Sequence, residues 1–221
     1  MFEQLLKNDF LNVVNAERRV NAPEWNNEPD VRVEENNSSS FDVTDPNESS
    51  QTIFRPLGHG TASYVNGTPK KHYILRFLCY DEYLHQFVFD DGDGHSNVSF
   101  FKDHTRMADF IVYEPSDEHM WLVIHELSMG SVDNKRNRGR IQLSSTLNML
   151  CKSPAIKAFI DGFRHKWCIL SADDKRVLTP NKIADAFMEP YSVLPEPQEF
   201  NFGVIRRFGF QAFETSKVVL E

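Results

Sequence analysis

Two stretches decide how this chain is read. They are Met107-Ala108-Asp109-Phe110-Ile111-Val112-Tyr113 and, after the polar segment Pro115-Ser116-Asp117-Glu118-His119, Trp121-Leu122-Val123-Ile124-His125-Glu126-Leu127-Ser128. Each is a run of branched and aromatic residues bounded by turn formers, and the short connection predicts a hairpin of 108–113 with 121–127. Each run is also interrupted by one acid. Asp109 opens the first strand and Glu126 closes the second, so antiparallel pairing makes the two carboxylates neighbours. Close carboxylates on a buried sheet repel unless a proton or a cation neutralises them. A hard divalent ion such as Mg²⁺ or Mn²⁺, bound through oxygens, is a natural partner for such a pair. Taken singly, Asp109 reads as a strand terminator and Glu126 as an ion-pair partner of a nearby basic run; the metal reading rests on the two together. Strand alternation puts Ser128 on the face of Glu126 and turns His125 to the opposite one, where a satisfied core histidine is expected.

Beyond the hairpin the period changes. Ile141, Leu143, Leu147, Leu150 and Cys151 recur at helical intervals and predict a helix over 138–151. Ser153-Pro154 reads as an N-cap with proline at the first helical position, followed by Ile156, Phe159, Ile160 and Phe163. Residues 167–172 form a continuous apolar run, which suits a strand buried on both faces and reached by a helical crossover. Thr179-Pro180 opens a short helix to about residue 188, and 203–213 with 218–220 read as closing strands. Upstream, 73–80, 85–90 and 96–101 are strand-like, with turn chemistry at Asn66-Gly67 and at 91–94. The run Asp90-Asp91-Gly92-Asp93-Gly94 misses the calcium-loop spacing and reads as a hairpin turn. Residues 1–20 predict one N-terminal helix, with Leu5, Leu6, Phe10, Leu11, Val13 and Val14 on its apolar side. Residues 21–51, rich in Asn, Ser, Pro and acids, read as an acidic, polar loop or linker. The expected fold is therefore α+β or mixed α/β: one domain over 52–221, its core at 106–172, built on a central mixed sheet flanked by helices.

The order acid-bearing strand, Glu-bearing strand, helix, strand resembles the PD-(D/E)XK nuclease superfamily, whose fold is that of restriction endonucleases. The matching residues are Asp109, Glu126-Leu127-Ser128 at the family's Glu-x-Lys site, and Gln142-Leu143 near the start of the helix. The resemblance covers about a third of the chain. It implies a Mg²⁺- or Mn²⁺-dependent phosphodiesterase acting on DNA ahead of RNA, in defence against or maintenance of mobile DNA. Asp109 and Glu126 would hold the metal, with Gln142 and the position of Ser128 completing the catalytic set. The family's lysine falls on Ser128, and a hydroxyl cannot supply the charge stabilisation attributed to that lysine. Lys135, or Arg140 near it, is the candidate substitute, with Arg138 and Arg140 as phosphate contacts. The same departure equally suits a catalytically inactive nuclease-like module that binds a protein or nucleic-acid partner, or a homodimer.

Charge and composition bound these readings. The chain has 221 residues and a net charge of −8, which at first argues against a polyanionic partner. Residues 1–51 hold four basic and eleven acidic residues, leaving 52–221 nearly neutral, with a local basic run Lys135-Arg136-Asn137-Arg138-Gly139-Arg140. By default that run is a solvated surface. Cys79, Cys151 and Cys168 show no paired spacing and read as buried thiols, and the N-terminus lacks the basic flank of a secretion signal, so a cytoplasmic location is expected. Gly-rich phosphate loops, zinc-ligand spacings and a Gly-x-Ser-x-Gly elbow are absent.

Overall fold

The hairpin forms where the residues require it. In the computed structural model, which describes residues 2–46, 51–68, 71–94, 97–101, 107–128, 133–172 and 197–221, β8 (Phe110–Tyr113) pairs antiparallel with β9 (Trp121–Ser128), Phe110 opposite His125 and Tyr113 opposite Leu122. β9 then runs parallel to β10 (His165–Ala172). A parallel neighbour needs a crossover. It is made by α4 (Asp133–Leu150) and α5 (Pro154–Asp161), the latter capped by Ser153 Oγ, which accepts from Ile156 N as its sequence predicts.

These strands sit inside a seven-stranded mixed sheet of order β1-β5-β8-β9-β10-β12-β11. β1 is Val33–Asn36, β5 Leu75–Cys79, β11 Gln198–Glu199 and β12 Gln211–Glu214. Alternate residues serve two cores. Ile111, Tyr113, Leu122, Ile124, Cys168 and Leu170 face the helices, where Leu143, Leu147 and Leu150 of α4 are fully buried. Phe110, Val112, Val123, Leu127 and Ile169 face a second sheet of order β13-β4-β2-β3. That sheet is built from β2 (Ser40–Val43), β3 (Phe54–Arg55), β4 (Ala62–Asn66) and β13 (Lys217–Leu220). The layers are thus helices, large mixed sheet, small sheet. A small hairpin of β6 (Val88–Phe89) and β7 (Val98–Ser99) brackets the Asp90–Gly94 turn. No helix among the described residues is long and apolar enough to cross a membrane.

Several expectations are corrected. Within the segment read as a loop or linker, residues 33–36 and 40–43 are strands: β1 extends the large sheet and β2 is an inner strand of the small one. Two of its acids, Glu34 and Asp42, are bonded within the fold rather than solvated. Glu34 accepts from Arg32, from the Thr52 hydroxyl and from Ile53 N, while Asp42 accepts from His59 N, Gly60 N and Ser63 Oγ. Trp25 adds a ring contact to Phe87 at 4.8 Å. Residues 1–20 form two helices, α1 (Phe2–Lys7) and α2 (Asp9–Ala16), which bury Phe2, Leu6, Phe10 and Val14. The segment after β5 is helical, α3 (Tyr80–His85), because Tyr80, Tyr83, Leu84 and Phe87 follow a three-and-four spacing and all are buried. Residues 203–207 form α6 (Gly203–Arg207) rather than a strand. It buries Ile205, ends on two arginines suited to a helix C-terminus, and is followed by Gly209 at a φ of 77°. Ile141, expected on the apolar face of α4, is 53% exposed. The helix expected at 179–188 lies outside the described residues.

Candidate functional site

The register that sets Phe110 against His125 sets Asp109 against Glu126, at the end of the hairpin farthest from its turn. Both carboxylates are buried, at 7% and 5% exposure, and Glu126 shares the helix-facing side of β9 with Leu122 and Ile124. They are tied together. The Leu127 N–H donates to Asp109 Oδ2 at 2.6 Å, which satisfies a β9 amide that β8 is too short to reach. The backbone amide of Asp109 contributes a small favourable interaction with the Glu126 carboxylate. One oxygen is left over: Glu126 Oε2 is buried and has no hydrogen-bond partner among the described residues.

The electrostatics follow from this burial. Removal from water pushes the Asp109 carboxyl well above the ordinary carboxylate range, and the hydrogen bond from Leu127 offsets that only in part. Glu126 is raised further, first by desolvation and then by the charge of Asp109. Asp45, which follows β2, and Asp81, in the first turn of α3, add negative potential to both. Among the described residues, no Lys, Arg or His makes an ion pair with either carboxylate. Nor does any group of three or more His, Cys, Asp and Glu among them have a metal-holding arrangement, so the candidate site is a two-carboxylate one.

Gln142 does not point at open space. Its Nε2 donates to Met107 O at 3.1 Å, just before Asp109. Arg138 is exposed on α4. Arg140 leans the other way along the sheet, 3.6 Å from Glu214 and over the Phe200 ring at 4.7 Å, with Nε buried and unpartnered. Leu170 is in register with both Glu126 and Glu214, so the acid that holds Arg140 lies two strands away from Glu126, roughly 10 Å. Ser128 ends β9 opposite Ala172, and Lys135 lies in the first turn of α4; their side chains fall outside the described residues.

His125 behaves as expected. It is fully buried on the other face, with Nδ1 2.7 Å from Tyr64 Oη and Nε2 2.8 Å from Ser171 Oγ. Because Ser171 Oγ donates to Thr215 O at 2.6 Å, its oxygen must accept from His125 Nε2–H, leaving Nδ1 to accept from Tyr64. Every member is satisfied and the ring is neutral. Burial pulls its pKa down to about 3.

Two residues of the site escaped the sequence reading. Gly139, seen only as part of the basic run, lies directly on the sheet. A Cβ there would press into the Leu170 side chain and come within 3.4 Å of Glu126 Cγ. Thr146, four residues after Gln142, is fully buried and its Oγ1 accepts from Ala108 N at 2.8 Å. A polar residue inside the apolar face of α4 was the available signal. In comparisons with known proteins, the chain matches no family model, no curated protein and no solved structure.

Proposed function

We propose that the protein is a metal-dependent phosphodiesterase acting on DNA, with Asp109 and Glu126 holding Mg²⁺ or Mn²⁺. One observation carries this reading: two buried carboxylates stand in register on one face of the sheet, with an oxygen of Glu126 left without a donor among the described residues. Ionised together at about 5 Å, two such groups repel by about 3 kcal/mol at an effective dielectric near 20. The fold tolerates that only if the pair shares a proton or receives a cation. A two-carboxylate set of oxygens suits Mg²⁺, which keeps waters and substrate oxygens in its remaining positions. When bound, such an ion would neutralise phosphate charge and lower the pKa of a water. The chain's own part is to fix the two oxygens and to exclude solvent from one side through α4. The succession of β8, β9, α4 and β10, with β9 and β10 parallel, further supports the resemblance read from the sequence.

The alternative, a nuclease-like module that binds without cleaving, is favoured by one feature. Ser128 stands where the lysine is expected, and Arg140, a candidate substitute, is engaged by Glu214 and Phe200. Cleavage of plasmid and single-stranded DNA in Mg²⁺ and Mn²⁺ separates the two. Asp109→Ala and Glu126→Ala should each reduce metal-dependent cleavage to background while the protein stays folded. Cleavage that survives both substitutions refutes the assignment, and Mn²⁺ binding without cleavage supports the module.

A further inference from the structure

Asp109 stands one residue outside β8, where the last ladder hydrogen bond from the β5 side reaches its carbonyl from Tyr80 N. What holds its approach is α4. Gln142 Nε2 donates to the carbonyl of Met107, and Thr146 Oγ1 accepts from the amide of Ala108. These are the two ends of a single planar peptide unit, which has no internal rotation to relax. Gln142 and Thr146 are one turn apart on one helix face, separated by about 6 Å along the axis, and they bracket that unit from both sides. The next residue is Asp109. Its carbonyl accepts from Tyr80 N at 2.8 Å and its carboxylate from Leu127 N. One turn earlier on the same helix, Gly139 lets the backbone lie against Leu170 and Glu126.

We infer that Gln142 and Thr146 are positioning residues. They clamp the 107–108 peptide plane and thereby set the Asp109 carboxylate against Glu126, so that α4, more than the hairpin, determines the geometry of the pair. The inference deepens the reading of Asp109 and Glu126 as a metal pair and rests on it. It also gives Gln142 a role in orienting an acid in place of one in touching a phosphate.

The test uses the full chain and two readouts that do not require turnover. Amide hydrogen exchange at Leu127 reports whether the Asp109 carboxylate is in place, with the Val123 amide in the middle of β9 as the internal control. Mn²⁺ titration reports the pair. In Gln142→Leu and in Thr146→Val, the Leu127 amide should exchange about tenfold faster or more while Val123 stays at its wild-type rate. Mn²⁺ affinity should fall by about tenfold or more. Thr146→Ser, which restores the acceptor, should return both to wild type. Wild-type protection at Leu127 together with wild-type Mn²⁺ affinity overturns the inference, as does equal loosening of Leu127 and Val123. If Thr146→Val does not fold, Gln142→Leu decides by the same readouts. A wild-type chain that binds no Mn²⁺ defeats the phosphodiesterase reading instead, and the Leu127-to-Val123 comparison still decides the clamp.

Discussion

His125 and Glu126 are neighbours on β9, both buried, and they point to opposite faces of the same sheet. On the small-sheet face, the polar group is closed into a chain from Tyr64 through His125 and Ser171 to Thr215, with every donor committed. That chain joins β4 to β9 and β10, and it anchors the residue that leads into β13. On the helix face, the polar group keeps, beside a second carboxylate, an oxygen with no hydrogen-bond partner among the described residues. Buried polar groups in folded proteins are nearly always paired, and an exception calls for an explanation such as a bound ion. The difference lies in the hydrogen bonding: the His125 ring has both nitrogens engaged within the fold, while Glu126 keeps one buried oxygen without a partner among the described residues.

The contrast is broken most forcefully by His125→Ala. It removes a buried ring and leaves the Tyr64 hydroxyl without an acceptor, at a cost of about 3 kcal/mol. Urea unfolding should show this loss, while Mn²⁺ affinity of the folded variant stays at the wild-type value. A collapse of Mn²⁺ affinity with stability unchanged would mean that the two faces are not separable.

Titration sharpens the comparison, because the two faces respond to pH with opposite sign. The unfolded chain protonates His125 near pH 6.5 and the folded chain only near 3. Stability from that face is complete above about 6.5 and declines as pH falls through the window. For Asp109 and Glu126 the folded pKa values are raised above the ordinary values of 3.8 and 4.5. Their contribution is full below about 4 and is lost as pH rises towards and past neutrality. Between pH 7 and 9 the wild-type unfolding free energy should therefore drop by an amount on the order of 2 kcal/mol, at 1.36 kcal/mol per pKa unit, and the urea midpoint should fall with it. Mg²⁺ should restore it, and Glu126→Gln should flatten the slope. A midpoint that is level over that range, with or without Mg²⁺, would show that the pair carries no suppressed charge.

The smallest effect is expected from Gly139→Ala. The new methyl meets Leu170, an overpacking cost of 1–3 kcal/mol, offset by about 1 kcal/mol from the better helix former. A net loss of about 1 kcal/mol in chemical denaturation, together with weaker Mn²⁺ binding, would place the close approach of α4 in the service of the helix face. An unchanged Mn²⁺ affinity would confine Gly139 to packing.

Much of the core was legible without coordinates. Alternation in 110–113 and 121–128 marks strands with two faces, and the antiparallel rule alone sets Asp109 against Glu126. The helix behind them, its leucines and the Ser153-Pro154 start of α5 follow from local period and capping. Other features had no local signal. The acids of 21–51 suggested solvation, yet Glu34 and Asp42 are bonded by Thr52, His59, Gly60 and Ser63, residues that chain closure alone brings near. Ile141 fits the helical repeat by spacing but lies off the buried face, because the sheet touches only the side that carries Leu143, Leu147 and Leu150.

By itself, the sequence determined which segments alternate, which repeat at helical spacing, and that two acids meet at the end of a hairpin. Those are consequences of backbone geometry within a few residues. Tertiary structure alone decided that one oxygen of Glu126 lacks a donor among the described residues, that Arg140 is drawn to Glu214, and that Gln142 and Thr146 grip the peptide ahead of Asp109. Each of these depends on residues far apart in the chain arriving within about 3–4 Å of each other, and directional hydrogen bonds and ion pairs form only at that range.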